Sequence, residues 1–167
     1  VVDTNVATTA NGNNEAAPDD CIAASARALA EVMKSSRVFI DDDGRIVREY
    51  RANLSPKGAP GPGDAFLKWV LTHEWGGHRI TRVAITAKPD DPEDFEELPI
   101  PSDGTMYDRS DRKFLAVSAA TPERPVIIQS LDSKWWGWRD SLGKIGVRIH
   151  FVCPDAISAK YSKKMGK

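Results

Sequence analysis

Four acids are placed where they could do chemistry: Asp3, Glu49, Asp111 and Asp132. Asp3 follows two valines and stands two places before Asn5 in VVDTN, where a buried strand gives way to polar chain. Asp132 follows the apolar run of PVIIQSLD in the same manner. Asp111, in DRSDRKFLAV, falls in the first turn of a helical pattern, and Glu49, in IVREY, lies on a helix whose other face is apolar. Carboxylates gathered without enough basic partners repel one another and cost several kcal/mol if desolvated. A hard divalent cation relieves that repulsion, and oxygen donors with open water positions suit magnesium or manganese. Each acid also has a plainer reading. Asp3 can simply end a strand, Asp111 can favour a helix dipole, Asp132 can cap a helix while still ligating, and Glu49 can sit on a helix surface.

The elements that would bring these acids together are legible as an alternation. DDCIAASARALAEVMKSS has Asp19 or Asp20 as N-cap and Ile22, Leu29, Val32 and Met33 at helical spacing. RVFID reads as a buried strand, DDG as a turn, and RIVREYRANL as a helix with Ile46, Val47, Tyr50 and Leu54 on one face. SPKGAPGPG is a loop, and Asp64 is expected to cap the helix AFLKWVLTHEW. RVAITA reads as a strand, KPDDPEDFEELPIPSDGTMY as a long acidic loop, and Asp108 onwards as a helix. PVIIQ, KWWGWRDSLGK and VRIHFV give strand, helix and a last strand stopped by Pro154. This order predicts a three-layer α/β/α fold with a mainly parallel central sheet, whose ligands bind outside the carboxyl ends of the strands.

Composition bounds the function. At 167 residues, 41% hydrophobic and 28% charged, the chain is an ordinary single-domain length with enough mass for a core. A net charge of -1 argues against an all-basic nucleic-acid binder but leaves room for an enzyme with a local patch. No apolar run approaches the roughly 20 residues of a membrane helix, and no signal segment opens the chain. Cys21 and Cys153 are far apart with no CxxC pair, so they are expected as free buried thiols in a reducing, cytoplasmic compartment, a disulfide or zinc site being the minor case.

Other motifs carry less. His73 and His78 of THEWGGH are five apart, which takes them off a common helix face and away from the HExxH of zinc proteases. GAPGPGD lacks the Lys-Ser/Thr ending of a phosphate loop, and DTN falls short of the D-x-D pattern of HAD-like phosphatases. WWGW reads as a core edge with one exposed Trp, and otherwise as a platform for unpaired bases. His150 alternates with Ile149 and Phe151 and reads as structural. Residues 41 to 43, DDD, read as a solvated turn, with Asp41 or Asp42 as substitute ligand otherwise.

D-x-N at the start, E-Y on an early helix, D-R-K-F-L-A-V-S before a helix and a late D-S-x-W together resemble PIN-domain proteins, the PilT-N-terminal-like nucleases of which VapC-type toxins are best known. The similarity runs from Val1 to about Pro154, so residues 1–155 are expected to form a PIN-like nuclease domain and residues 156–167 a basic, frayed tail. The resemblance implies a metal-dependent endonuclease, most often a ribonuclease of a toxin or defence system, leaving 5′-phosphate and 3′-hydroxyl ends. Asp3, Glu49, Asp111 and Asp132 would be both the catalytic acids and the ligands of Mg²⁺ or Mn²⁺, with Asn5 a polar neighbour of Asp3. The cation would activate a water for in-line attack at phosphorus and neutralise the building charge. Arg109, Arg112 and Lys113 flank Asp111 and would grip backbone phosphates. One departure stands out: the family often has a second acid two residues after the late Asp, and here that position is Lys134. Lys134 would weaken a second metal site or contact phosphate. Single-stranded RNA, a homodimeric state and an antitoxin-like partner complete the expectation. Its rivals are a non-catalytic PIN-like module that binds RNA or protein, and a structure-specific DNA nuclease.

Overall fold

The computed structural model describes residues 1–14, 16–57 and 60–166. In chain order the elements are α1 (Thr4–Ala10), α2 (Asp19–Ser35), β1 (Val38–Asp41), α3 (Arg45–Asn53), α4 (Pro62–His73), β2 (Ile80–Val83), β3 (Ala87–Lys88) and β4 (Asp91–Phe95). A 3-10 turn (Arg109–Asp111) then leads into α5 (Arg112–Ala120), followed by β5 (Ile127–Gln129), α6 (Ser133–Lys144), β6 (Ile149–Phe151) and α7 (Pro154–Lys164). The fold is mixed α/β, and its strands are short.

The strands that position the site run parallel. β1 pairs with β2, Val38 facing Ile80, and β5 pairs with β6, Ile127 facing Ile149. Val2 joins β5 through a parallel bridge to Ile128, where the Asp3 N–H donates to the Ile128 carbonyl at 3.1 Å. Val1 and Val2 share a cavity of about 190 Å³ with Val38 and Val126. All four residues of β1 are buried, as expected of strands covered on both faces. The core joins Val2, Ile40, Tyr50, Phe66, Leu115, Ile127 and Trp135 in one apolar cluster. The Tyr50 hydroxyl donates to the Val2 carbonyl and so anchors the segment that ends at Asp3.

Close helix packing explains one glycine. A Cβ on Gly63 would stand 2.1 Å from the Ala7 carbonyl oxygen, so α4 can lie against α1 only with glycine there. Any side chain would push α1, and with it Asp3, out of place.

The structure corrects several expectations. A helix, α1, follows Asp3 at once. The acidic stretch after residue 87 is not a loop throughout: β3 and β4 form an antiparallel hairpin in it, with Ala87 facing Phe95, which is fully buried. The strand expected at RVAITA begins earlier, at Ile80, the residue that packs under Val38. Asp64 lies inside α4, where its carboxylate accepts from the Gly61 N–H at 3.1 Å, so Pro62 starts the helix. Within the expected SPKGAPGPG loop, Gly58 and Ala59 lie outside the described residues. The segment read as a frayed tail enters α7, whose Ile157 is fully buried. Pro154 at its start, Asp155 in the first turn and Lys163 and Lys164 in the last are ordinary helix signals.

Cys21 and Cys153 are not free thiols. They form a disulfide between the start of α2 and the start of α7, with Cα atoms 5.6 Å apart and a sequence separation of 132. Together with Leu131 they make a small apolar cluster beside the segment that carries Asp132.

Candidate functional site

Three of the four acids, Asp3, Asp111 and Asp132, stand at the start of a helix, and Glu49 stands in the middle of α3. Asp3 is the N-cap of α1 and accepts from the Asn5 N–H at 2.8 Å. Asp132 is the N-cap of α6 and accepts from the Lys134 N–H at 3.2 Å. Asp111 ends the 3-10 turn at the mouth of α5 and is buried. Glu49, half-buried on α3, accepts from the Thr4 hydroxyl at 2.6 Å. Asn5 ties the first and last of these together: its side-chain oxygen accepts from the Leu131 N–H at 2.7 Å, across 126 residues of chain. The expected polar neighbour of Asp3 therefore acts as a brace between α1 and the loop before α6.

Electrostatics shows that the acids share one environment. Burial is the main force that lifts the Asp3 carboxyl from 3.8 to about 8, and Asp111, Glu49 and Asp132 add to it; only the Asn5 N–H pulls the other way. Burial likewise raises Asp111 to about 6, with Asp132 and Asp108 adding and Lys134 opposing. Asp3 is 5% exposed, so bulk water screens little of this.

Two lysines supply the counter-charge. The Lys134 ammonium lies 3.3 Å from Asp111 and 3.4 Å from Asp132, and it also pairs with Asp108. Burial works against its charge, but those three carboxylates outweigh burial and hold it above the ordinary lysine range. Lys113 is buried, lies 2.5 Å from Glu49, and donates to the Ser110 carbonyl. Among the described residues no three acidic, His or Cys side chains stand at metal-holding spacing. The acids are neighbours, and ammonium groups satisfy them. The donor set is all oxygen and holds more carboxylates than two lysines can balance, the chemistry that a hard divalent ion takes.

The cations expected on phosphate are otherwise engaged. Arg109 lies 2.6 Å from Asp91, and Arg112 lies 3.6 Å from Asp91 and 3.8 Å from Asp94. The hairpin β3–β4 is what holds them, so the acidic stretch is an internal partner of this edge and not a solvated loop. Asp41 also leaves the ligand set: it is fully buried and accepts from the Arg45 and Ile46 N–H groups at 2.7 and 2.8 Å, capping α3. Asp42 and Asp43 remain exposed. Sequence reasoning missed Asp108 and Thr4. An acid three places before Asp111 was a visible signal for the first; nothing local marked Thr4.

The raised pKa values predict how stability responds to pH. Asp3 and Asp111 both hold protons more tightly folded than unfolded. Their contribution is full below the unfolded value of 3.8 and is lost as pH climbs through about 6 for Asp111 and about 8 for Asp3. In EDTA the melting temperature should therefore fall between about pH 5 and 8, and saturating Mn²⁺ should flatten that slope by binding the deprotonated acids. Thermal melts across pH in the two conditions check this; a level profile in EDTA would remove the case for a strained acidic cluster.

The chain matches no protein-family model, no curated protein and no solved structure.

Proposed function

We propose that this protein is a divalent-metal-dependent endonuclease of PIN-like, three-layer α/β/α architecture that hydrolyses single-stranded RNA. The observation that carries the reading is the meeting of Asp3, Glu49, Asp111 and Asp132, drawn from four separate elements, in one largely buried and strongly acidic neighbourhood. The parallel pairing of β1 with β2, of β5 with β6 and of Val2 with Ile128 supports the architecture.

In this reading Asp3, Glu49, Asp111 and Asp132 hold Mg²⁺ or Mn²⁺, which supplies water activation and charge neutralisation at the phosphate. The protein's own groups do the rest. Asp3 would hold the ion as a carboxylate, Thr4 orients Glu49, and Asn5 keeps the Asp3 and Asp132 segments in register. Lys113 and Lys134 balance the acids in the absence of the ion, and Lys113 would then be free to meet the phosphate backbone. A toxin or defence setting, an antitoxin-like partner and a homodimer belong to the same proposal. So does a cytoplasmic setting. No helix among the described residues is long and apolar enough to cross a membrane, while the Cys21–Cys153 disulfide weighs against a reducing compartment.

The test is cleavage of a labelled single-stranded RNA, with single-stranded and flap DNA alongside, in Mn²⁺, Mg²⁺ and EDTA. Metal-dependent RNA cleavage is expected; DNA preference would move the reading to a DNA nuclease. A second reading, a PIN-like module that binds without cutting, is favoured by one observation: Lys113 already pairs with Glu49, and Lys134 with Asp111 and Asp132. RNA binding with no cleavage in either metal would establish it.

Lys134 separates the two further. Lys134→Asp should raise Mg²⁺-supported cleavage on the order of tenfold, the scale of changes beside metal ligands. It should also lower the melting temperature in EDTA, because Asp108, Asp111 and Asp132 lose their shared ammonium. An unchanged or reduced rate in a folded variant would assign Lys134 to the phosphate instead.

A further inference from the structure

A second cavity, of about 260 Å³, opens against the acidic cluster and shares Asp108 and Lys134 with it. Its walls are Trp138 and Tyr161, with Met106 and Met165 at the rim and Lys164 beside them. From these features we infer that the cavity takes one unpaired nucleobase of a single-stranded nucleic acid whose backbone continues across the acids.

Shape comes first. The volume is below the roughly 300 to 1,000 Å³ of pockets for drug-sized ligands, which suits a single planar ring system. The aromatic walls are fixed. Trp138 meets Tyr107 edge-on at 5.4 Å between ring centroids and Trp135 at 5.8 Å, so its inner side is held by the core. Tyr161 lies against α6 because position 137 is glycine: a Cβ there would stand 2.7 Å from the Tyr161 ring. Two fixed rings facing one cavity form a stacking platform, and stacking tolerates any base because every base has a π face. The methionines are soft and polarizable and fit around a ring of variable size.

Charge comes second. Lys163 and Lys164 close α7 and form no ion pair among the described residues, unlike Arg109 and Arg112. A cation beside a stacking pocket meets the phosphate that flanks the base. Lys134 lies 5.8 Å from the Trp138 ring centre and also contacts the acids, so one side chain borders both the base and the scissile region. The inference rests on the nuclease reading for the direction of the strand, but the pocket can be tested separately.

Binding of a fluorescein-labelled ten-nucleotide single-stranded RNA is measured by anisotropy in Ca²⁺, alongside copies with one abasic position each. The comparison covers the native chain, Tyr161→Ala, Tyr161→Phe and Lys164→Ala, with folding checked by circular dichroism. Cleavage of the same RNAs in Mn²⁺ is followed in parallel. Tyr161→Ala should weaken binding about 5- to 150-fold, the range for losing one base–aromatic stack, and Tyr161→Phe should restore it. One abasic position should produce a loss of similar size in the native chain and little further loss in Tyr161→Ala. That pattern supports the pocket whether or not the RNA is cut, so failure of the nuclease reading leaves it standing. Equal binding of every abasic copy, or no RNA binding at all, overturns it, even if the RNA is cleaved.

Discussion

Asp3→Asn is expected to slow RNA cleavage by several orders of magnitude while leaving the protein at least as stable. The two effects have one origin. Asn keeps the shape of the side chain and remains a good N-cap, so α1 keeps its first-turn hydrogen bond from the Asn5 N–H. What is lost is the charge that would hold the cation and through it the attacking water. What is gained is relief: Asp3 is buried and faces the field of Asp111, Glu49 and Asp132, so a neutral amide rests more easily there. In EDTA the variant should also lose much of the fall in melting temperature towards pH 8. Cleavage of labelled single-stranded RNA, paired with thermal melts, checks both halves. A variant that cuts like the native chain in Mn²⁺ or Mg²⁺ would show that Asp3 only caps a helix, and its role as a metal ligand would fail with it.

The second large effect concerns the covalent link. Breaking Cys21–Cys153, by reductant or by the double change Cys21→Ser and Cys153→Ser, should lower the melting temperature by about 6 to 12 °C. A bridge across 132 residues restricts the unfolded chain over most of its length, and removing such a bridge costs about 3 kcal/mol. At this chain size that converts to the stated range. The damage should be directional. Leu131 packs on the two cysteines and donates its N–H to Asn5, so the Asp132 loop should loosen with the bridge and Mn²⁺ affinity should fall. Melts with and without reductant, and Mn²⁺ titration of both forms, read the two effects. An unchanged melting temperature would show that the bridge contributes nothing to stability.

The sequence carried the order of elements well where apolar spacing was regular. β1, α3 and α6 could be placed because Val38 to Ile40, Ile46 with Tyr50, and Trp135 with Leu142 are spaced for a strand and two helices whose apolar residues are buried. It failed where charge supplied the order. In β4 only Phe95 is buried, and the strand is held by Arg109, Arg112 and Lys88 reaching Asp91 and Asp94, partners that no local pattern reveals. Asp3 and Asp132 could be placed together because each follows an apolar strand-like run, and the two runs are bridged through Val2 and Ile128. Their lysine partners could not, because long side chains fold back according to a surface that exists only after folding. Cys21 and Cys153 were misread for the same reason: sequence distance says nothing about distance in space.

The pairing of the first residues with β5 also governs the time at which a site exists at all. Val2 meets Ile128, and Asn5 meets Leu131 across 126 residues, so the chain must close nearly its whole length before Asp3 and Asp132 become neighbours. Loops of that size close slowly and reward closure late. On refolding, helices such as α2 should regain their signal before any RNA is cut, and stopped-flow circular dichroism beside a cleavage time course would reveal the lag. A chain caught during synthesis, or stalled before residue 128, would then carry its acids apart and harmless. On the proposed reading, cleavage would begin only when the last quarter of the chain closed onto the first few residues.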